Sequence, residues 1–168
     1  MLRSLVPLVV ICLALAGWMA FQQTDVDTVR AVDPSSTVQL AAARAGYPVV
    51  APAGLPEGYR PTSARTDAGE AEAGDPVTLE IGYLTPSAEY AGFVVSDDAR
   101  ADAVDAVLGG AEEQGTVDLG GQAWTQGTTE RGETVLTRTA GGVTVLVTGS
   151  ASDEELATVA GSVRAYPG

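Results

Sequence analysis

The sequence predicts an α+β fold: an N-terminal transmembrane helix, then one domain with a curved antiparallel sheet of about six to seven strands and two to three helices on one face. Three observations predict it. An apolar run opens the chain, several later segments alternate apolar and polar residues, and others carry apolar residues at helical spacing. The strand segments follow one another in groups, which is typical of antiparallel sheets rather than of alternating strand and helix units.

The opening run, Leu5 to Phe21, contains no charged residue. As a helix it is roughly 26 Å long at ~1.5 Å per residue, and flanking polar residues extend it towards a ~30 Å hydrocarbon core. Arg3 precedes the run, whereas Asp25 and Asp27 follow it. Positive charge favours the cytoplasmic side, so this run predicts a single-pass cell-membrane protein with its N-terminus inside.

This interpretation divides the chain into four parts. We expect a cytoplasmic stub at residues 1–4, a transmembrane anchor at 5–23, a tether at 24–32 and an extracytoplasmic domain at 33–168. A cleaved signal peptide, with an apolar core to Leu13 and the motif Ala14-Leu15-Ala16, is the alternative. Lipid attachment at Cys12 is disfavoured because Ile11, rather than a small residue, precedes it.

The composition limits the partners of the exported part. After residue 21 the chain has eight arginines against 22 acidic residues, a net charge of −14. Such a surface repels phosphate backbones, so we expect no nucleic-acid partner. Because the only cysteine, Cys12, lies in the apolar run, no intramolecular disulfide can form. The absence of Lys and Asn indicates a high-GC bacterium.

Three segments predict helices. Asp33-Pro34 is typical of a helix start and Gly46 of its end. Asp97 or Asp98 is expected to cap a second helix that ends at Gly109-Gly110. Ser152 with Glu155 three residues later forms a capping box for a third.

Strands are predicted where apolar and polar residues alternate, and the turns between them are predicted at pairs of glycines. Val77, Leu79, Ile81 and Tyr83 alternate with less apolar residues, which indicates one buried face. Glycine pairs suit tight hairpin turns that need positive φ. The strands expected from these signals are Arg60 to Thr66, Val77 to Tyr83, Tyr90 to Val95, Thr116 to Leu119, Gln122 to Gly127, Glu133 to Thr139 and Gly142 to Thr148.

The chemical inventory favours a protein without catalysis. The chain has no histidine or lysine, so neither imidazole nor amine can serve as a base or ligand, and we expect no catalytic residue, cofactor or metal. A hydrolase that uses only carboxylates is the disfavoured alternative, because most acidic residues lie in loops or on outward helix faces. Ser150 lacks the flanking glycine of a nucleophile elbow, and Ser152 is explained as a helix cap. Glu70, Glu72 and Asp75 could bind Ca²⁺ only weakly, since their spacing is not that of an EF-hand.

Tyr83 and Trp124 are the two candidate ligand-contact residues. Both are large aromatic side chains on predicted strands, in a chain with few rings. Either could line a ligand groove, although core packing is the commoner use of such residues.

Several stretches together resemble the uncharacterised actinobacterial single-pass membrane proteins of domain-of-unknown-function family 4245. They are Val32-Asp33-Pro34, Ala51 to Ser63, Ile81 to Pro86, Trp124, and Gly142 to Ser152 leading into Glu154-Glu155-Leu156. The resemblance implies one anchor and one exported domain, and it supplies no activity. The segment Leu55 to Tyr59, the strand meander that contains Trp124 and the last helix, which follows Ser152, are also similar to those of envelope-stress sensor and lipoprotein-carrier domains.

Two functions are therefore expected. The first is a non-catalytic, membrane-anchored binding or accessory domain that contacts an unknown protein or ligand of the cell envelope. The alternative is a carrier or sensor of a small apolar envelope ligand held against the sheet.

Overall fold

A computed structural model describes residues 30–167. The expected stub, the apolar run from Leu5, the signal-peptide alternative and most of the tether lie outside these residues. Residues 31–168 form one compact unit. None of the helices in residues 30–167 combines the length and the apolar content needed to cross a bilayer.

Three helices are present in the described part of the chain. Helix α1 spans Ser35–Arg44, α2 spans Asp102–Leu108 and α3 spans Asp153–Gly161. Helix α1 begins one residue later than predicted: Pro34, rather than Asp33, is its N-cap, and the Asp33 carboxylate accepts a hydrogen bond from the Ser35 N–H at 2.9 Å just before the helix. The capping box of α3 is confirmed, with Ser152 accepting from the Glu155 N–H and Glu155 reaching back to Ser152.

Seven strands form one antiparallel sheet in the order β2-β3-β4-β8-β7-β6-β5. The first three strands and the last four form two meanders, which join where β4 pairs with β8. Two short strands, β1 and β9, pair separately as a two-stranded ribbon. The strands are β1 Val50–Pro52, β2 Arg60–Thr66, β3 Thr78–Leu84, β4 Tyr90–Ser96, β5 Glu112–Leu119, β6 Gln122–Thr128, β7 Thr134–Ala140, β8 Val143–Thr148 and β9 Val163–Ala165.

Glycine pairs form two of the hairpin turns, as predicted. Gly120 and Gly121 link β5 to β6, and Gly141 and Gly142 link β7 to β8, each with positive φ. Two consecutive residues at positive φ give the turn a twist that matches the flanking strands. These turns fix the register of the second meander.

The main core lies between one face of the sheet and helices α1 and α3. Leu79 and Ile81 of β3 point to this face and are almost fully buried, which confirms the predicted alternation. Val38 of α1 and Leu156 of α3 pack against the same cluster. We call this side of the sheet the core face.

The expectation that all helices lie on one face is wrong for α2. Val104 of α2 packs against Val94 and Leu146, which point away from the core face. Both side chains lie in strands that are apolar at successive positions, so the central strands β4 and β8 are buried on both sides.

Three further boundaries differ from the predictions. Helix α2 begins three or four residues later than expected, with Ala101 as its N-cap. Neither aspartate caps it: the Asp97 carboxylate accepts from the Val77 N–H at 2.8 Å, and Asp98 accepts from the Arg100 N–H at 2.9 Å. Strand β5 begins at Glu112 rather than Thr116. The β1/β9 ribbon was not predicted, since each strand has only three residues.

Candidate functional site

Tyr83 lies on β3 and points to the core face. Its side chain is 3% exposed, and burial raises the pKa of its hydroxyl to about 12. The hydroxyl forms no hydrogen bond with any residue that the structure describes.

Tyr83 is one of the residues that line a cavity of about 260 Å³, which we call the ribbon cavity. It lies between the start of α1, strand β3 and the β1/β9 ribbon. Its walls are mostly apolar, and Val38 and Ile81 contribute nearly buried side chains. The lining residues are Pro34, Ser35, Val38, Ala51, Pro52, Ala53, Ile81, Tyr83, Arg164, Ala165, Tyr166 and Pro167.

Backbone hydrogen bonds hold the ribbon that forms the outer wall. The Ala53 N–H donates to the Ser162 carbonyl at 3.0 Å, and the Tyr166 N–H donates to the Val49 carbonyl at 2.9 Å. These bonds extend the three-residue pairing of β1 with β9 at both ends. The wall therefore consists of residues that are more than 100 positions apart in the sequence but are fixed by main-chain contacts.

The charge lining the ribbon cavity is unusual for this acidic chain. Among the described residues Arg164 is the only charged one that lines it, and none of the described carboxylates does. Four other cavities of the described residues each include at least one carboxylate: Glu130, Glu80, Asp67 and Glu112 are examples. The ribbon cavity is thus lined mostly by apolar residues, together with Tyr83 and with Arg164, whose guanidinium donates to the Gly161 carbonyl at 2.8 Å and to the Val163 carbonyl at 2.7 Å.

Trp124 lies on β6 and is fully buried within the same core cluster. Strands β4, β8 and β7 separate β6 from β3, which places Trp124 roughly 19 Å from the Tyr83 strand at ~4.8 Å per strand. Its indole N–H is enclosed without a hydrogen-bond partner among the described residues, and Arg138 covers its ring. The structure does not bring the two aromatic side chains together, and of the two only Tyr83 lines the ribbon cavity.

The other residues considered for chemistry have structural contacts. Ser150 accepts a hydrogen bond from the Tyr90 N–H at 3.1 Å and donates to Glu89 at 2.6 Å. Asp75 accepts from the Glu72 N–H at 2.8 Å within the exposed acidic loop. Residues 30–167 contain no group of three or more potential metal-ligand side chains.

Sequence reasoning missed Arg164 and the residues of the ribbon. Their signal is weak, because a three-residue strand after a helix has too few positions to show alternation. The pattern Val163-Arg164-Ala165 contains one buried residue followed by two exposed ones. These three residues form a strand because they pair with β1, and the sequence of β9 alone does not indicate that pairing.

Comparison with known proteins adds a family and no activity. Residues 1–163 match the family described as protein of unknown function, DUF4245. No curated protein matches the sequence. Since the family match covers nearly the whole chain, the protein belongs to this family.

Proposed function

We propose that this protein is a non-catalytic binding domain of the bacterial cell envelope, held at the membrane by a single N-terminal helix. The observation that carries the proposal is the uncharged run Leu5 to Phe21, which a short polar segment connects to a folded domain. Arg3 before the run and two aspartates after it favour an exported domain. The composition, without Lys or Asn, favours a high-GC bacterial source.

Two features support binding rather than catalysis. Nucleophilic and acid–base catalysis depend on a base held close to the reacting group, and the exported part offers only carboxylates for this role. The hydroxyls of Ser150 and Ser152 are engaged in contacts that hold the β4 start and the α3 cap. The domain therefore acts by contact with a protein or ligand.

Protease protection tests the location. Whole cells that express the chain with a C-terminal epitope are treated with protease, and a second sample is lysed first. We expect the epitope to be lost from whole cells while a cytoplasmic marker survives. An epitope that survives in whole cells and disappears only after lysis would contradict an exported domain.

Photo-crosslinking tests the binding role. A photoreactive amino acid is placed at Leu40 or Tyr90, which are exposed apolar side chains at 40% and 49%, and at the polar, exposed Thr139 as control. A defined adduct from an apolar position, absent from the control, is the expected result. Recovery of the uncrosslinked chain alone, from every position and with several chemistries, counts against a protein partner.

The ribbon cavity favours a second candidate function, the binding of a small apolar ligand. Its volume of about 260 Å³ is slightly below the ~300–1,000 Å³ of common ligand sites, so the ligand is small. Native mass spectrometry of the full-length chain after gentle extraction tests this function. A discrete added mass that is lost when Ala51→Trp fills the cavity supports it, whereas an unmodified mass under all extraction conditions opposes it.

A further inference from the structure

We propose that the face of the sheet opposite the core face binds one ring of a neutral saccharide against the side chain of Tyr90. This inference rests on the proposed binding function and names a ligand class for it. The observation that carries it is the position of Tyr90. Its side chain is 49% exposed and lies across two paired glycines, in a cavity that Arg65 and Glu80 also line.

Cross-strand pairing fixes the direction of the Tyr90 side chain. Ile81 and Phe93 pair and belong to the main core, so the next pair, Gly82 and Gly92, points to the opposite face, and alternation along β4 puts Tyr90 there too. A Cβ at Gly82 would lie 2.9 Å from Cε2 of Tyr90, and a Cβ at Gly92 would lie 3.1 Å from Cε1. The ring therefore covers the two glycines and leaves its other side in solvent.

The exposed aromatic ring forms part of a cavity of about 240 Å³, which we call the Tyr90 cavity. This volume corresponds to about eight water molecules at ~30 Å³ each. Covalently linked carbon and oxygen atoms occupy less space than separate water molecules, so the cavity accepts one pyranose ring with its hydroxyls. Glycines inside strands often mark such a close approach of a ligand to the backbone.

Polar side chains of the two neighbouring strands surround the Tyr90 hydroxyl. Arg65 of β2 pairs with Glu80 of β3, and a Cβ at Gly82 would lie 2.5 Å from the Ser63 Oγ, so all three side chains share this face. Burial raises the pKa of the Tyr90 hydroxyl, Glu80 raises it further and Arg65 lowers it, so both charges act on this hydroxyl. None of these four side chains forms a hydrogen bond with a residue that the structure describes.

A sugar ring matches both parts of the Tyr90 cavity. The C–H groups on one side of a pyranose pack against an aromatic ring, while its hydroxyls donate to a carboxylate and accept from a guanidinium. An apolar ligand would instead remove Arg65 and Glu80 from water without replacing their hydrogen bonds. These two side chains have opposite charges, and the exported part has a net charge of −14, so a neutral sugar is favoured over an anionic one.

Saturation-transfer NMR on the full-length chain in zwitterionic nanodiscs tests the inference, with empty nanodiscs as the reference. The neutral probes are the methyl glycosides of glucose, galactose, mannose and N-acetylglucosamine. Methyl glucuronide is the anionic counterpart, and sorbitol supplies hydroxyls without a ring. We expect at least one neutral glycoside to receive about fivefold more saturation than either of these and to shift the ring resonances of ¹³C-labelled Tyr90, assigned with Tyr90→Phe.

Variants separate the aromatic ring from the polar groups. Tyr90→Phe keeps the ring and is expected to retain most of the binding, whereas Tyr90→Leu is expected to lower it about fivefold. Glu80→Gln and Arg65→Gln leave the ring in place and are each expected to lower binding about threefold to tenfold, because charged groups form the stronger hydrogen bonds. Tyr166→Leu, in the ribbon cavity, is the matched control and is expected to change nothing. Circular dichroism checks that each variant is folded, and the Glu80 and Arg65 variants decide if Tyr90→Leu is not.

Three results would overturn the inference. If no neutral glycoside receives more saturation than with empty nanodiscs, Tyr90 only covers the glycines; the proposed binding function then stands, because protease protection and cross-linking from Leu40 test it separately. Equal saturation of sorbitol and the glycosides would mean that no sugar ring is recognised. A loss of binding in Tyr166→Leu as large as that in Tyr90→Leu would place the ligand elsewhere.

Discussion

The guanidinium carbon of Arg138 lies 5.4 Å from the centroid of the Trp124 ring. Thr125 pairs with Thr137, so Trp124 and Arg138 are the next cross-strand neighbours on β6 and β7. Arg138 also donates to the Gln122 side chain. The cation thus covers the largest buried side chain of the domain, and its aliphatic stem completes the core at this end of the sheet.

Removing this cover is expected to destabilise the domain. Arg138→Ala loses a cation–π contact and the packing of the arginine stem, so we expect the free energy of unfolding to fall by ~1–2 kcal/mol. Arg138→Lys should recover only part of the loss, because an ammonium group does not stack on a ring as a planar guanidinium does. Urea denaturation followed by circular dichroism measures both changes.

Arg100→Ala is the control for the removal of positive charge. Arg100 is exposed, its backbone N–H donates to Asp98, and its side chain forms no hydrogen bond with any of the described residues. This variant should leave stability within about 0.5 kcal/mol of the parent. If Arg138→Ala were as stable as the parent, the contact of Arg138 with the Trp124 ring would contribute nothing to the free energy of unfolding.

Glu155 is expected to make the stability of the domain depend on acid. Burial would raise the pKa of its carboxyl, but hydrogen bonds from Thr85, Ser87 and Ser152 outweigh this and lower the pKa from 4.5 to about 2. A carboxyl with a lowered folded-state pKa stabilises the domain above the unfolded value, and the stabilisation is lost as pH falls from 4.5 towards 2. Glu155→Gln should therefore flatten the pH dependence of unfolding in this range.

Glu154→Gln is the matched control on the same turn of α3. Its carboxylate is exposed and accepts no hydrogen bond from a described side chain, so the acid dependence should persist. Urea midpoints measured at several pH values between neutrality and 2 give the comparison. If Glu155→Gln and the parent lose stability in parallel, the Ser87 contact at 3.1 Å does not hold the carboxylate in solution.

Local patterns predicted more of this fold than of its site. The capping box at Ser152 and the alternation through Ile81 depend on neighbours within a few residues, and both are confirmed. The Ser87 contact of Glu155 joins positions 68 residues apart, and no local pattern contains it. The sequence does contain a signal for the position of α2. Val94 lies in an apolar run, which is typical of a strand buried on both faces and therefore requires a helix on the second face.

The candidate site was only half predictable for a related reason. Tyr83 belongs to a clear alternating strand, so its burial followed from the sequence. Arg164, which lines the same cavity, lies in a strand of three residues, whose place depends on pairing with Val50 to Pro52. A cavity wall formed by two short segments far apart in sequence arises from tertiary pairing, which periodicity does not encode.

The turn at Gly141-Gly142 offers a test of backbone strain without steric contact. Both residues have positive φ, at 61° and 84°, and no atom lies close to either position. Gly142→Ala should cost ~1 kcal/mol because alanine disfavours this conformation. Gly141→Asn should be nearly neutral, since Asn-Gly suits the same turn. Similar losses in the two variants, measured by urea denaturation, would argue against this turn geometry.

Helix α2 should open independently of the main core. Val104 is its one fully buried side chain, and its cluster contains only two other buried residues, Val94 and Leu146. Val104→Ala removes two methyl groups from this contact, so we expect faster amide exchange throughout α2, with the exchange of Phe93 and Val147 little changed. Hydrogen exchange followed by NMR measures both regions in one sample.

Asp105→Ala on the exposed side of α2 separates packing from helix propensity. It introduces the strongest helix former without altering the buried contact, so exchange in α2 should stay the same or slow slightly. Faster exchange at Phe93 and Val147 in Val104→Ala would show that the two faces unfold as one unit. That result would mean that β4 and β8, buried on both sides, couple the small cluster to the main core.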